Sequence, residues 1–187
     1  MKYFKKLVGE RIYLSPMNME DSKIFTKWMN DFNVSDYTGR SSSLMTVEGE
    51  NAWLNSALNS DEPLFSIIKL ENDELIGNTG LMKIDSTRRT ATLGIMIGED
   101  ENRSKGYGTE ALRLLLDYGF NYLNLNNIML EVFEFNERAI NAYKKAGFKE
   151  IGRRRKAYFL NGKYYDEVYM DILAEEFTES YIKNKNI

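Results

Sequence analysis

Between Leu64 and Gly98 apolar and polar residues follow the short period of strands, and on either side the period lengthens to that of helices. The stretches "LFSIIKL", "LIGNTGLMKID" and "TATLGIMIG", separated by the turn-forming "ENDE" and "STRR", read as an antiparallel meander of three strands. Upstream, "ERIYLSP" reads as a short strand. "NMEDSKIFTKWMND" follows as a helix capped by Asn18, with Glu20 and Asp21 in its first turn and Ile24, Phe25, Trp28 and Met29 at core-facing spacing. The polar, Ser-rich run from Asp31 to Glu48 reads as a mobile loop before the next helix, "EGENAWLNSAL". Downstream, "TEALRLLLDYGFNYL" is a helix, "IMLEVFEF" a strand, and "NERAINAYKKAG" a helix with Asn136 as cap and Gly147 as terminator. "FKEIGRRRKAYFL" and "YYDEVYMDIL" flank Asn161-Gly162, a strong hairpin signal.

Composition narrows the chemistry. At 187 residues, with 43% hydrophobic and 13% aromatic content, the chain can bury one substantial core, and one domain over residues 1–187 is expected. Neither cysteine nor histidine occurs. That removes nucleophilic thiols, Ser-His and Cys-His triads, imidazole bases, and thiolate or imidazole metal sites. No metal is expected, and catalysis must use Tyr, Asp, Glu, Lys, backbone groups or water. The start "MKYFKKLVGERIYL" lacks a signal-type apolar core, and no segment reaches the ~18 apolar residues of a membrane span, so a cytoplasmic protein without membrane contact is expected. A net charge of -3 and a pI near 5.3 speak against a nucleic-acid partner. The local basic run "GRRRK" at 152–156 reads as a solvated strand edge.

The most informative stretch is "ENRSKGYGTEALRLLLDYGF", residues 101–120. A glycine loop between a strand and a helix offers unpaired N–H groups and the positive helix end to an anion, while Arg103 and Lys105 add charge. A phosphate or pyrophosphate is its natural guest. The Walker pattern is absent, which excludes a P-loop ATPase. Gly106-x-Gly108-x-x-Ala111 does fit the dinucleotide pattern, but the strand that enters this loop ends an antiparallel meander, not a βαβ unit. A nicotinamide-dependent oxidoreductase is therefore a lesser alternative.

"RSKGYG" resembles the Q/R-x-x-G-x-G/A signature of the GNAT superfamily of N-acetyltransferases, and "NERAINAYKKAGF" resembles that family's later Asn…Tyr…Gly-Phe element, in the right order and at the right separation. The likeness covers about residues 10–173. It implies an α/β (α+β) fold with a mixed, mostly antiparallel central sheet flanked by helices. It also implies direct transfer of acetyl from acetyl-CoA to a primary amine. The ending "FLNGKYYDEVYMDIL" resembles the branch holding ribosomal-protein N-terminal acetyltransferases and spermidine N-acetyltransferases. A polyamine and a protein N-terminus both stand as acceptors, a non-catalytic acyl-CoA-binding module is the alternative, and a homo-oligomer is left open.

The resemblance assigns residues as well. Tyr143 is the general acid toward the CoA sulfur. Arg103, Ser104, Lys105, Gly106, Tyr107, Gly108 and Thr109 form the pyrophosphate loop. Ile95, Met96 and Ile97 lend backbone groups to the pantetheine arm where the neighbouring strand splays away, and Asn136 contacts the cofactor besides capping its helix. The base is unassigned, with Glu131 and Glu134 as candidates by position. Asp36 and Tyr37 are candidates for meeting a cationic substrate.

Overall fold

The computed structural model describes residues 2–184. The chain runs β1 (Leu7–Val8), β2 (Ile12–Pro16), α1 (Ser22–Met29), α2 (Phe32–Thr38), α3 (Val47–Leu58), β3 (Leu64–Lys69), β4 (Leu75–Asp85) and β5 (Thr90–Ile97). It continues through α4 (Tyr107–Asn121), β6 (Asn127–Phe133), α5 (Glu137–Lys145), β7 (Lys149–Leu160) and β8 (Lys163–Leu173). The strands form one sheet in the order β1-β2-β3-β4-β5-β6-β8-β7. Every pairing is antiparallel except β5 with β6, which is parallel. The expected mixed, mostly antiparallel sheet flanked by helices is therefore present.

Alternation along the strands assigns the two faces. One face carries Leu81, Ala91, Leu93, Leu130, Val132, Val168 and Met170 against α4 and α5, the larger core. The other carries Tyr13, Ile68, Leu75 and Met96 against Phe25 and Trp28 of α1, Val34 of α2 and Leu54 of α3. Residues 131, 133 and 167 alternate with Leu130, Val132 and Val168, so Glu131, Phe133 and Glu167 face the side of α1 to α3.

The run from Asp31 to Glu48 is not the expected loop, because α2 lies inside it. Asp31 caps α2 by accepting the N–H of Asn33 at 2.9 Å, and Gly39 ends it at φ 73°. Its residues are weak helix formers, so the caps and the buried Val34 and Ser35 hold it where propensity does not. The glycine-loop helix starts at Tyr107, two residues before the expected Thr109. Asn161 and Gly162 both take positive φ, as the two-residue hairpin requires. Strand β7 is the sheet edge and is mostly exposed, with Arg153 between Glu150 and Glu134 and Arg154 beside Glu167. Among the described residues no helix is long and apolar enough to cross a membrane.

Candidate active site

The feature that organises the site is a break in strand pairing. The parallel contact of β5 with β6 holds only from Thr90↔Asn127 to Thr92↔Met129 and then ends, although both strands continue. A cleft of about 640 Å³ opens at this splay and reaches residues of both faces: Leu112 and Tyr143 on the side of α4 and α5, and Phe25, Glu50 and Trp53 on the side of α1 to α3. It thus passes through the plane of the sheet.

On the freed edge of β5, antiparallel alternation decides which groups are available. The N–H of Gly98 donates to the carbonyl of Ile76 at 3.0 Å, which makes Gly98, Met96 and Gly94 the residues bonded to β4. The main-chain groups of Ile95 and Ile97 therefore point toward the splay, and the Ile97 carbonyl accepts from Arg103 Nε at 3.1 Å. Met96 departs from expectation: its backbone is spent on β4, and its side chain lies in the smaller core.

The loop from Glu99 to Gly106 carries the chain from β5 into α4. Ser104 and Gly106 take φ of 59° and 87°, and the first intrahelical bond runs from Glu110 N–H to the Gly106 carbonyl at 3.0 Å. The N–H groups of Gly106, Tyr107, Gly108 and Thr109 precede that bond and have no acceptor within the helix. Gly108 has a revealing environment. A Cβ there would meet nothing nearer than Ile97 Cγ1 at 3.8 Å, so the protein itself leaves room for a side chain that the sequence withholds. The start of α4 is thereby left open enough for a ligand to approach its free N–H groups closely.

Charges around the loop fall differently from the expected pattern. Arg103 lines the cleft, but its guanidinium is bound by the loop's own frame: Nε to Ile97 O, Nη2 to Gly98 O at 2.9 Å, and Nη1 in an ion pair with Asp100. It fastens the loop to the end of β5. Lys105 is exposed outside the cleft lining, and its carbonyl accepts from Arg11 Nη1. Tyr107 is also outside the lining, with its ring beneath Arg11 at 5.0 Å. Arg138, in the first turn of α5, does line the cleft and has no ion pair among the described residues. The residue is exposed overall, but partial desolvation, and then the field of Arg103, lowers its pKa from the usual value. An anion in the cleft would relieve both effects. The sequence signal for Arg138 was present inside "NERAINAYKKAGF" but is indistinguishable there from a solvated helix charge.

Asn136 caps α5, its side chain accepting from Ala139 N–H at 3.2 Å, and it lines the cleft. Tyr143 is buried on the same helix against Phe148. Burial alone pushes its pKa up to about 12. Its hydroxyl has no hydrogen-bond partner among the described residues, so a proton donor stands uncommitted in the cleft wall.

Of the expected substrate residues, Glu131 lines the cleft from β6, two positions past the last parallel pair, with no partner among the described residues. Glu134 is committed elsewhere, accepting from Asp166 N–H at 2.9 Å. Tyr37 lines the cleft, but Arg138 sits over its ring at 5.4 Å, which opposes a second cation there. Asp36 lies outside the lining. The carboxylate that the sequence does not flag is Glu50 of α3, 3% exposed yet part of the cleft wall. Burial raises its pKa, with Arg40 opposing the effect. Its signal was a glutamate at i with Leu54 at i+4, on the stripe that α3 buries.

Residues 11–149 match the family model of the acetyltransferase (GNAT) domain. The chain is 29% identical to the spermidine N(1)-acetyltransferase of Escherichia coli K12 over 166 residues, covering 89% of this chain and 88% of that protein. An uncharacterized N-acetyltransferase, p20 of Bacillus licheniformis, is 29% identical over 177 residues, covering 91% of this chain and 97% of that one. Among solved structures, the spermidine N-acetyltransferase from Vibrio cholerae in complex with CoA and spermine superposes with a TM-score of 0.82 at 27% identity, over 89% of this chain and 98% of that one.

Proposed function

Because this chain belongs to the acetyltransferase (GNAT) family, it is an acetyl-CoA-dependent N-acetyltransferase, and we propose that its acceptor is an aliphatic polyamine, acetylated by direct attack with Tyr143 as general acid. The observation that carries the acceptor class is a pair of uncommitted carboxylates in the cleft wall: Glu50 from α3 and Glu131 from β6 both line it, and neither has a hydrogen-bond or ion-pair partner among the described residues. A monocationic peptide end needs one counter-charge, whereas an alkyl chain bearing several ammonium groups matches separate carboxylates with apolar surface between them. Phe25, Met29 and Trp53 supply that surface. The likeness to spermidine acetyltransferases supports the same reading.

Acetyl-CoA, when bound, supplies a thioester carbon open to a neutral amine. The chain's part begins with binding: the four N–H groups at the start of α4 and the guanidinium of Arg138 receive the phosphates, and the freed groups of Ile95 and Ile97 pair with the amide-bearing arm as a partial strand. The arm thereby leads through the sheet from the phosphate loop toward Glu131. The amine must shed a proton, since a group of pKa ~10.4 is almost wholly charged at neutral pH. Glu131, at the splay and solvent-accessible, is placed to pass that proton to water. As the nitrogen–carbon bond forms, the nitrogen gives up its now surplus second proton to water by the same Glu131 route; as the carbon–sulfur bond breaks, Tyr143 gives its hydroxyl proton to the departing sulfur and is reprotonated from solvent.

Thiol release from acetyl-CoA, followed with a disulfide dye across spermidine, spermine and short peptides with free N-termini, tests the acceptor class. The absence of cysteine means that the protein adds no background. Higher kcat/KM for the polyamines is expected, and preference for the peptides would overturn the assignment.

A further inference from the structure

Glu50 poses a problem that the transfer chemistry alone does not solve. A carboxylate 3% exposed, without a hydrogen bond among the described residues, is costly to keep charged. The fold could have dispensed with it. Its neighbours at i-3, i+4 and i+7 on α3 are apolar, Leu54 buried and Val47 and Ala57 half-buried, and an apolar side chain would complete that stripe. The nearest cation in effect is Arg40, which is exposed and makes no ion pair with it among the described residues. Of the other charged groups in the cleft wall, Arg103 is fastened to its own loop, Arg138 and Lys145 belong to α5, Glu167 faces Arg154, and Glu131 lies at the splay. Glu50 is therefore a buried carboxyl group that opens on the cleft, with the exposed Arg40 acting on it only through space and no hydrogen bond or ion pair among the described residues.

Its position argues against service to the reacting nitrogen. That nitrogen must be neutral when it attacks, and a buried carboxylate stabilises the charged ammonium instead. On the reading above the reacting nitrogen meets the free edge of β5 at the splay, on the strand that carries Glu131, whereas Glu50 reaches the cleft from α3. Trp53, one turn further along α3, exposes its ring on the same helix flank and also lines the cleft.

Building on the polyamine reading above, we propose that Glu50 is the specificity-determining residue that holds a second, non-reacting ammonium of the acceptor, with the intervening alkyl chain lying along the apolar wall between Glu50 and the splay. Ammonium binding gives the buried carboxylate the direct ion pair that Arg40 does not make. A monoamine offers no such group and gains nothing from it.

The experiment compares spermidine with n-butylamine as acceptors for the wild-type protein, Glu50→Gln and Glu50→Asp, all with saturating acetyl-CoA. The wild type should prefer spermidine. In E50Q, kcat/KM for spermidine should fall by about tenfold or more, the scale of a lost charge-assisted contact, while n-butylamine turnover stays within about twofold. E50D should keep part of the preference, and KM for acetyl-CoA should be the same in all three. If the wild type prefers spermidine and E50Q prefers it equally, the role of Glu50 is refuted and the polyamine reading stands. If the wild type shows no preference, the polyamine reading falls and the role of Glu50 with it. Equal loss for both amines would make Glu50 a structural residue and would also refute the proposal.

Discussion

Replacing Tyr143 by Phe should give an enzyme that is slower yet no less stable, and the structure supports both halves. The hydroxyl has no hydrogen-bond partner among the described residues, so its removal orphans no donor or acceptor. Deleting a buried, poorly solvated hydroxyl recovers between zero and about 1 kcal/mol, which at this chain length raises Tm by up to about 4 °C. The ring stays, so its packing against Phe148, at 5.9 Å between centroids, is retained. Turnover moves the other way. General acids contribute about 10²–10⁴-fold. A thiol of pKa ~8.5 is a fair leaving group unaided, which places the expected loss at the lower end, about tenfold to a few hundredfold in kcat. Acetyl-CoA does not depend on the hydroxyl for binding, so its KM should stay within about twofold. Steady-state thiol release and a thermal melt on the same preparation read both quantities. Full turnover in Y143F would refute the general-acid role, and a clear drop in Tm would refute the claim that the hydroxyl is uncommitted.

Gly108→Ala should stabilise the protein by about 0.4–1 kcal/mol, because the new methyl meets nothing nearer than 3.8 Å and the unfolded chain loses freedom; it should also raise KM for acetyl-CoA by about tenfold or more. Parallel melts and kinetics check this pair, and an unchanged KM would remove Gly108 from the phosphate site. Arg103→Ala and Arg138→Ala should separate frame from ligand contact: the first leaves two carbonyls and Asp100 without their partner and costs about 2 kcal/mol or more, whereas the second leaves Tm unchanged and raises KM for acetyl-CoA. At alkaline pH, Tyr143, whose pKa is raised from 10.0 to about 12 in the folded protein, keeps its full contribution below pH 10 and loses it as pH rises to 12, at about 1.4 kcal/mol per pH unit. Over that window the wild type should lose roughly 2–3 kcal/mol more than Y143F, measured by denaturant titration at each pH.

Those outcomes depend on geometry that was unequally legible in the sequence. The meander, the glycine loop, the Asn136 cap and the hairpin at Asn161-Gly162 carry their own local chemistry, and each stands where its residues predict. Helix α2 was hidden because Asn, Ser, Asp and Thr read as loop, although Asp31 and Gly39 mark its ends. The different settings of Arg103 and Arg138 were hidden for a different reason. Both are plain arginines in sequence, and only the folded loop shows that the carbonyls of Ile97 and Gly98 take the first while the second, over the Tyr37 ring, has no ion pair among the described residues. The backbone direction of Met96 depends on ladder alternation, fixed by the partner strand β4 and not by Met96 itself. Glu50 is the clearest case. A polar residue on a buried helix stripe is readable as an anomaly, but its meaning depends on the cleft that α3 and the splay enclose.

The most direct test of the account is to mix the protein with acetyl-CoA and spermidine and to quantify free CoA thiol and acetylated amine in the same sample. The account predicts that the two appear in equal amounts, require both substrates, and fall together in Y143F. Thiol release without acetylated amine, or no release with any amine, would contradict it.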